Sequence, residues 1–413
     1  MFDFKKVILN FPVMNKLSPG FVIISLSFIV AHVESKNVGG YYWGGASQVL
    51  PVEKINANYL THIYYAFLIV EDNGTLTIQD ENRALREIGM LQRLPELKKI
   101  NPDLKLLFSL SNQNQSFSTV VAQAALRKTL VQSCIDIVKK YNYDGIDLDW
   151  EFPEAVDKDN YIALLKDLKE GFKEYDILLT AAVRAIPIYD NTGYDVPQIA
   201  KYLDLINVMT YDYFGSWSSY TGQNSPLFPS SKDTAYEKGY LNVQAGGKLW
   251  LDAGATKDKI NIGLPFYGRS FTLLNPENHD LKAPVTGAGS PVSPSYFQIL
   301  QGYSNWTTVW DDEQKNPYKY SGDQWLGYDD KKSITEKVKY VLSQDFAGVF
   351  IWQLGGDDIE GVFSGTKQEL LASINEVVKS SVNKERSSSN NSLYKKHKKI
   401  KQTEAGKKLL RKT

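Results

Sequence analysis

Two hydrophobic patterns alternate along the chain between residues 37 and 378. Short β-branched or apolar runs are separated by longer stretches in which apolar residues recur at helical spacing. The alternation predicts an α/β fold, a parallel (β/α)8 TIM barrel whose site lies at the carboxyl ends of the strands. The runs predict eight strands: Asn37–Tyr42, Leu60–Val70, Leu104–Leu110, Gly145–Trp150, Ile177–Val183, Leu203–Met209, Lys259–Leu264 and Ala347–Trp352.

The stretches between these runs predict amphipathic helices, with one long exception. In the second helix apolar residues recur every four positions, so its Cys134 is expected in the core. A segment between the seventh and eighth strands, from about residue 271 to residue 327, shows little helical period. We predict that it forms a small inserted α+β subdomain beside the barrel mouth. The predicted helices are Arg83–Ile100, Val120–Tyr141, Tyr161–Tyr175, Thr234–Ala253, Ser333–Gln344 and a closing helix Gln368–Val378.

Three carboxylates occupy alternate positions on the fourth predicted strand, in Asp144-Gly-Ile-Asp147-Leu-Asp149-Trp-Glu151. Residues two apart share a strand face and lie roughly 6–7 Å apart, so these acids are expected to point into the barrel. Ile146, Leu148 and Trp150 would face the helices. Buried acids this close titrate together, which raises the pKa of at least one and suits a general acid. A surface strand with alternating acids is the alternative.

The octapeptide Asp144–Glu151 resembles the signature of family-18 glycoside hydrolases, the chitinases. Further matches are Met209-Thr-Tyr211-Asp212 on the sixth strand and Gly263-Leu-Pro-Phe-Tyr267-Gly-Arg269 at the seventh. Trp325-Leu-Gly-Tyr-Asp-Asp330 resembles the exit of that family's insertion, and the resemblance covers most of residues 37–375.

The resemblance implies hydrolysis of β-1,4-linked N-acetylglucosamine polymers, in which the substrate's own acetamido oxygen attacks the anomeric carbon. Glu151 would protonate the leaving oxygen and then activate water. Asp149 would orient the acetamido N–H and stabilise the positive intermediate, while Asp147 would hold Asp149 and share its proton. Tyr211 would hydrogen-bond the acetamido oxygen. Residues that would bind substrate are Tyr41, Phe67, Asn114, Trp150, Met209, Asp212, Tyr267, Arg269 and Trp352.

The third strand departs from the family pattern, because Ser109-Leu-Ser111-Asn112-Gln113 stands where Ser-x-Gly-Gly-Trp is usual. Gln113 cannot stack on a sugar as tryptophan does, which puts binding on the leaving-group side in question. Two other functions remain open: a chitin-binding lectin without activity, and an endoglycosidase acting on N-glycan cores. The retained carboxylates and Tyr211 favour the enzyme over the lectin, and the insertion argues against the endoglycosidase.

The two ends of the chain predict a targeting signal before the barrel domain, residues 36–379, and a tail after it. Lysines precede the apolar run Phe21–Ala31, which is about half of what a membrane span needs, so residues 1–35 are expected to be a cleaved secretory signal. An uncleaved anchor or a disordered leader is the alternative. Four sequons, which include Asn73 and Asn305, agree with an exported glycoprotein.

Charge is balanced overall, with 47 basic and 47 acidic residues, but residues 380–413 hold eleven Lys or Arg and two Glu. This tail is expected to be disordered, either as a tether to an anionic matrix or as a solvated segment without a partner. The neutral balance argues against a nucleic-acid partner, and no membrane partner is expected once the signal is removed. The expected protein is a secreted, extracellular monomer that binds chitin.

Cysteine and histidine are scarce, with one Cys and four scattered His. A single cysteine excludes an intramolecular disulfide and a four-ligand cysteine zinc site. We therefore expect no metal and no cofactor.

Overall fold

The computed structural model describes residues 36–46, 49–78, 88–112, 116–187 and 192–383. The predicted signal, most of the basic tail, and the loop residues Gln113 and Asn114 lie outside these ranges. The signal and residues 384–413 of the tail therefore stay predictions. The expectation of disorder from residue 380 is corrected for residues 380–383, which are helical.

Within the described ranges, eight parallel strands close into a barrel in the ring order β1-β2-β4-β5-β6-β7-β8-β14, and β14 pairs back onto β1. The fold class predicted from sequence is confirmed, and each observed strand boundary lies within two residues of the predicted one. The strands, in chain order, are β1 Asn37–Trp43, β2 His62–Val70, β3 Leu76–Thr77, β4 Lys105–Asn112, β5 Gly145–Asp149, β6 Leu178–Arg184, β7 Leu205–Met209, β8 Ile260–Pro265, β9 Arg269–Leu273, β10 Val285–Ala288, β11 Thr307–Asp311, β12 Asn316–Ser321, β13 Gln324–Gly327 and β14 Gly348–Trp352.

The barrel strands separate two apolar regions, because successive side chains point to opposite faces. The larger region lies between strands and helices and includes Ile146, Leu148 and Trp150. A smaller cluster fills the barrel interior, where Tyr41, Tyr64, Leu107, Ala182 and Phe350 are buried. The interior cluster forms the base on which the site is built.

The helices are more numerous than the sequence predicts, because the longest predicted helices are divided. The long helix expected over Thr234–Ala253 is two helices, because the Asn242 side chain accepts a hydrogen bond from the Ala245 N–H at 2.8 Å and starts a new helix. The helices are α1 (described over 88–93), α2 Ser116–Val121, α3 Ala124–Tyr141, α4 Lys158–Phe172, α5 Val196–Tyr202, α6 Ala235–Tyr240, α7 Val243–Asp252, α8 Tyr296–Gly302, α9 Lys331–Ser343 and α10 (described over 369–383).

Other helix predictions also need correction. The stretch expected as one helix from Val120 begins earlier and is divided into α2 and α3. A 3-10 segment, Leu94–Lys99, follows α1 where a single α-helix was expected. The short helices α5 and α8 were not predicted, because each holds only seven residues and shows little period.

The insertion after β8 is a five-stranded antiparallel sheet in the order β10-β9-β13-β12-β11, with α8 in its connection. This agrees with the α+β subdomain expected from the sequence. Its first strand begins at Arg269, only four residues after β8 ends at Pro265, so the sheet is anchored directly at the barrel mouth.

Two of the predicted sequons fall on described surface. Asn73 and Asn305 are both exposed, and the Asn73 side chain accepts hydrogen bonds from Thr75 in a turn. Among the described helices, none is both long and apolar enough to cross a bilayer.

A buried ion pair joins the insertion to the barrel. The Nζ of Lys337, on α9, lies 2.5 Å from Oδ1 of Asp329, and both side chains are fully buried. The same oxygen accepts hydrogen bonds from Asn316 on β12 and from Ser333 on α9. Burial lowers the pKa of Lys337 and the Asp329 charge opposes that shift. Loss of either partner would leave an unpaired charge in the interior.

We expect Lys337→Met to lower the free energy of unfolding by about 3–5 kcal/mol, because it leaves the Asp329 carboxylate buried without its cation. The double variant Lys337→Met/Asp329→Asn should recover much of that loss, since no charge then remains. Denaturant unfolding measures both. Lys339→Met, which removes an exposed charge from the same helix, is the matched control and should change stability by less than about 0.5 kcal/mol. Equal stabilities of the Lys337 variant and this control would contradict the assignment.

Candidate active site

The three acids of β5 lie as the alternation predicts, at successive levels of the barrel. Asp147 is fully buried, Asp149 is 5% exposed, and Glu151 is exposed at the cleft surface just beyond the strand. Trp150 points the other way and stacks on Phe117, with ring centroids 5.2 Å apart. Its assignment to substrate binding is corrected, since it lies in the outer core and lines neither part of the cleft.

Four donors surround the Asp147 carboxylate. Its Oδ2 accepts hydrogen bonds from the hydroxyls of Tyr41 and Ser109, both at 2.8 Å. Its Oδ1 accepts from the Thr180 hydroxyl at 2.6 Å and from the Asn207 amide at 3.4 Å. Burial raises the pKa of Asp147, and the four donors act in the opposite direction. The donors come from β1, β4, β6 and β7, so one carboxylate links half of the barrel strands.

Asp149 lines the cleft and has one carboxylate oxygen without a described donor. Its Oδ1 is buried and has no hydrogen-bond partner among the described residues. Burial raises the pKa of Asp149 well above its usual range, and the charges of Glu151 and Asp147 add to the effect. A buried carboxylate oxygen without a donor is costly, and a hydrogen-bond donor at this atom would offset that cost.

Glu151 stands where the cleft is open. Although Glu151 as a residue is exposed, the desolvation of its carboxyl group in the cleft and the negative charge of Asp212 raise its pKa, and the Arg184 guanidinium lowers it. The net shift is upward. The upward shift keeps this carboxyl group protonated to a higher pH than an ordinary glutamate, which favours its use as a proton donor.

The cleft has two lobes that meet at Glu151, Met209, Tyr211 and Asp212. The first encloses about 510 Å³ and is lined by Trp352, Phe67 and Gln353, among others. The second encloses about 380 Å³ and is lined by Phe152, Arg184 and Leu241, among others. We call them the Trp352 lobe and the Arg184 lobe.

The aromatic floor of the Trp352 lobe is built on the barrel interior. The rings of Trp352 and Phe67 stack with centroids 5.7 Å apart, and both are partly exposed. Tyr41 lies beneath, 1% exposed, with its centroid 5.5 Å from that of Trp352. Tyr41 is therefore mainly a packing residue whose hydroxyl holds Asp147, whereas Trp352 and Phe67 present faces to a ligand.

Tyr211 lies between the two lobes, just past the end of β7. A Cβ placed on Gly263 would lie 2.8 Å from the Tyr211 ring, so this glycine allows the ring to approach β8. Burial raises the pKa of the Tyr211 hydroxyl well above its usual range, and Tyr267 and the nearby carboxylates raise it further. The hydroxyl thus remains a proton donor in hydrogen bonds.

Asp212 connects the barrel to the insertion. Its Oδ1 accepts hydrogen bonds from the Tyr267 hydroxyl and from Nε of Arg269, each at 2.8 Å. The backbone of Asp212 has a φ of 59°, and Asn224 accepts a hydrogen bond from its N–H at 3.0 Å. Aspartate tolerates this left-handed conformation better than most residues. The Arg269 guanidinium also lies over the Trp217 ring, 5.2 Å from its centroid, and so closes one wall of the cleft.

The chain was compared with known proteins. The family model described as glycosyl hydrolases family 18 matches residues 37–357. This chain belongs to family 18 of the glycosyl hydrolases. Among curated family members, an endochitinase of Manduca sexta is 33% identical over 353 residues, which are 78% of this chain and 62% of that protein. A probable endochitinase of Caenorhabditis elegans is 33% identical over 82% of this chain and 58% of its own length. The chain thus spans about 60% of the length of these two relatives.

Solved structures similar to this chain include a chitinase and a pseudo-chitinase. The Group IV chitinase of Ostrinia furnacalis in complex with allosamidin has a TM-score of 0.80 and 34% identity, over 84% of this chain and 99% of that one. Human YKL-39, described as a pseudo-chitinase with retained chitooligosaccharide binding, has a TM-score of 0.78 and 28% identity, over 83% of this chain and 100% of that one.

Several residues of this family-18 site were not assigned from sequence. Ser109 and Thr180 lie directly beside Asp147 in the strand register, and both are hydroxyl residues within apolar runs. That pattern was the available signal for them. Trp43 also lines the Trp352 lobe. A Cβ placed on Gly45 would lie 2.5 Å from the Trp43 ring, so the glycine leaves room for that ring. The predicted site residue Asn114 lies outside the described residues.

Thr180→Val keeps the shape of Thr180 but removes the 2.6 Å donor to Asp147, so it should lower the free energy of unfolding by about 1–3 kcal/mol at neutral pH. The donor stabilises the ionised carboxylate, and the pKa of Asp147 in the folded protein lies above its ordinary value. The loss should therefore shrink as pH falls through that folded pKa and the carboxylate takes up a proton. Denaturant unfolding at several pH values tests this, with Thr180→Ser as the control that retains a hydroxyl. A loss that does not depend on pH would contradict the electrostatic role.

Proposed function

We propose that this chain is an endo-acting chitinase that hydrolyses β-1,4-linked N-acetylglucosamine polymers with retention of configuration. The observation that carries the proposal is the unsatisfied Oδ1 of Asp149, buried beside Glu151 and Tyr211 on the wall of the cleft. An acetamido group offers both an N–H for Asp149 and a carbonyl oxygen for the Tyr211 hydroxyl. A sugar without that group would leave the buried oxygen unpaired.

In the first step Glu151 gives its proton to the glycosidic oxygen as the bond from that oxygen to the anomeric carbon breaks. The acetamido oxygen of the same sugar forms the new bond to carbon, which yields an oxazolinium ion. Asp149 accepts the acetamido N–H hydrogen bond and stabilises the positive charge. Tyr211 donates to the acetamido oxygen and holds it near the carbon it attacks. Asp147, fixed by its four donors, keeps negative charge beneath Asp149.

In the second step the Glu151 carboxylate removes a proton from water, and the water oxygen attacks the anomeric carbon and opens the oxazolinium ring. Each step inverts the configuration, so the product retains the original one. The raised pKa of Glu151 suits both halves of the cycle, since the group must be protonated first and ionised afterwards.

The two lobes support endo action. The Trp352 lobe can hold sugars on the side of the cleaved residue, with the tryptophan ring as an apolar floor. The Arg184 lobe also borders Glu151 and would take the leaving-group sugars. A cleft with two lobes that meet at the acid fits cleavage within a polymer.

A lectin without activity is the second candidate, because YKL-39 shares the fold and is described as retaining chitooligosaccharide binding. The carboxylates at 147, 149 and 151 and the tyrosine at 211 favour the enzyme. Asp149, Glu151 and Tyr211 have raised pKa values, and the charges of neighbouring site groups contribute to each shift. Proton transfer uses such shifted groups, whereas binding alone does not require them.

Glu151→Gln should reduce turnover of a soluble N-acetylglucosamine oligomer by about 10²–10⁴-fold, since the amide cannot donate the catalytic proton. Binding of the oligomer should remain nearly intact, because the amide has a similar shape. Product chromatography and calorimetry measure the two effects. Glu277→Gln, the same change on the exposed surface of the insertion, is the control. If the wild-type protein is inert on every chitin oligomer tested, the lectin is the correct function.

Oligomers of deacetylated glucosamine should bind but resist cleavage, because they lack the acetamido oxygen that forms the new bond. The acetylated oligomer should give products that retain the β configuration, observed by NMR during the first turnovers. Mass spectrometry that traps a covalent glycosyl ester on Asp147 or Asp149 would overturn the substrate-assisted mechanism.

A further inference from the structure

Arg184 is the last residue of β6, the strand beside β5, and lines the cleft together with Glu151. Asp149 pairs with Ala182 in the register of β5 and β6. Each of the two residues follows this pair by two positions, Arg184 at the end of β6 and Glu151 just beyond the end of β5. Because Ala182 belongs to the barrel interior, Arg184, two residues on, shares that inner face. Both Glu151 and Arg184 line the Arg184 lobe.

The position of Arg184 is fixed at the backbone and at the side chain. Its N–H donates to the Tyr194 hydroxyl at 3.3 Å, and its carbonyl accepts from the Trp250 indole N–H at 2.9 Å. Its guanidinium carbon lies 4.2 Å from the centroid of the Phe152 ring. Phe152 follows Glu151 in the chain, so the cation is held against the segment that carries the acid.

The charged and titratable groups around Glu151 among the described residues come from every neighbouring element. Asp149 lies below it on β5, and Tyr194 faces it from the connection after β6. Asp212 and Tyr211 face it from the end of β7, and Asp212 is itself paired with Arg269 of β9. Against these anions and phenols, Arg184 contributes positive charge from β6.

We propose that Arg184 is a positioning residue that sets the upper pH limit of catalysis, by holding a permanent positive charge against the acid Glu151. The inference rests on the proposed function of this site. Two opposing influences act on the acid: burial and Asp212 favour its protonated form, and Arg184 favours its ionised form. Arg184 therefore keeps Glu151 from being held protonated when it must act as the base towards water in the second step.

The sign of the effect follows from this arrangement. Activity falls on the alkaline side as the free acid Glu151 loses its proton. Without the positive charge the proton is held more tightly, so the alkaline limb of the pH–rate profile moves to higher pH. A nearby opposite charge changes a carboxyl pKa by about 1–3 units, and we expect about 1 unit because Glu151 is exposed to water at the cleft surface.

The experiment compares wild type, Arg184→Met and Arg184→Lys by two measurements. The first is the pH–rate profile of kcat/KM on a soluble N-acetylglucosamine tetramer. The second is the titration of the Glu151 carboxyl carbon by 13C NMR, assigned by its loss in Glu151→Gln, which needs no catalysis. Arg184→Met should raise both midpoints by about 1 unit, and Arg184→Lys should restore them. Phe152→Leu, which frees the guanidinium, should shift them part of the way.

Controls separate this inference from the proposed function. Arg93→Met removes an exposed arginine outside the cleft and should leave both midpoints unchanged. Arg184→Gln supplies a second neutral replacement if the methionine variant does not fold. An inactive wild type with a shifted NMR midpoint in Arg184→Met would reject the proposed function but keep the electrostatic coupling. Unchanged midpoints, with or without a raised KM, would overturn the inference and make Arg184 a residue that only binds substrate or packs.

Discussion

The burial of one carboxylate governs the organisation of this barrel. An ionised group in the interior of a protein costs several kcal/mol unless donors replace its water. Asp147 meets that demand with four donors from four other strands. The requirement fixes which residues face inward on β1, β4, β6 and β7. It also fixes the height of β5 against its neighbours, because the donors and the carboxylate must lie at the same level.

The rest of the site follows from the height of β5. Once Asp147 is satisfied, Asp149 comes next on the same face with no described donor for its Oδ1, and Glu151 reaches the opening of the cleft. The three acids thus pass from fully satisfied to unsatisfied to partly solvated along about 13 Å of strand. That gradient separates, by position alone, the three carboxylates to which the proposed mechanism gives structural, ligand-binding and proton-donating roles.

Local sequence patterns were sufficient for the strands and for the direction of the three acids, since both follow from a period of two over short apolar runs. They were not sufficient for Thr180 and Asn207, because the partner that a side chain meets across strands depends on barrel register, and no local period encodes it. Trp150 illustrates a related limit. The motif assigned it to substrate binding, whereas its alternate position on the strand directs its side chain into the outer core against the helices. Arg184 gave little sign of a place in the site, because it is a single cation at the end of an apolar run. The break between α6 and α7 was also missed, because it depends on the Asn242 side chain capping the second helix.

The alternation on β5 also restricts how this segment can change during evolution. A one-residue insertion or deletion would rotate Asp147, Asp149 and Glu151 into the packed layer around Phe117 and turn Ile146, Leu148 and Trp150 towards the cleft. Such a chain would lose its outer core together with its chemistry. Point substitution is therefore the route open to descendants that give up catalysis but keep the barrel, and alignments of folded relatives should contain no gaps across these residues.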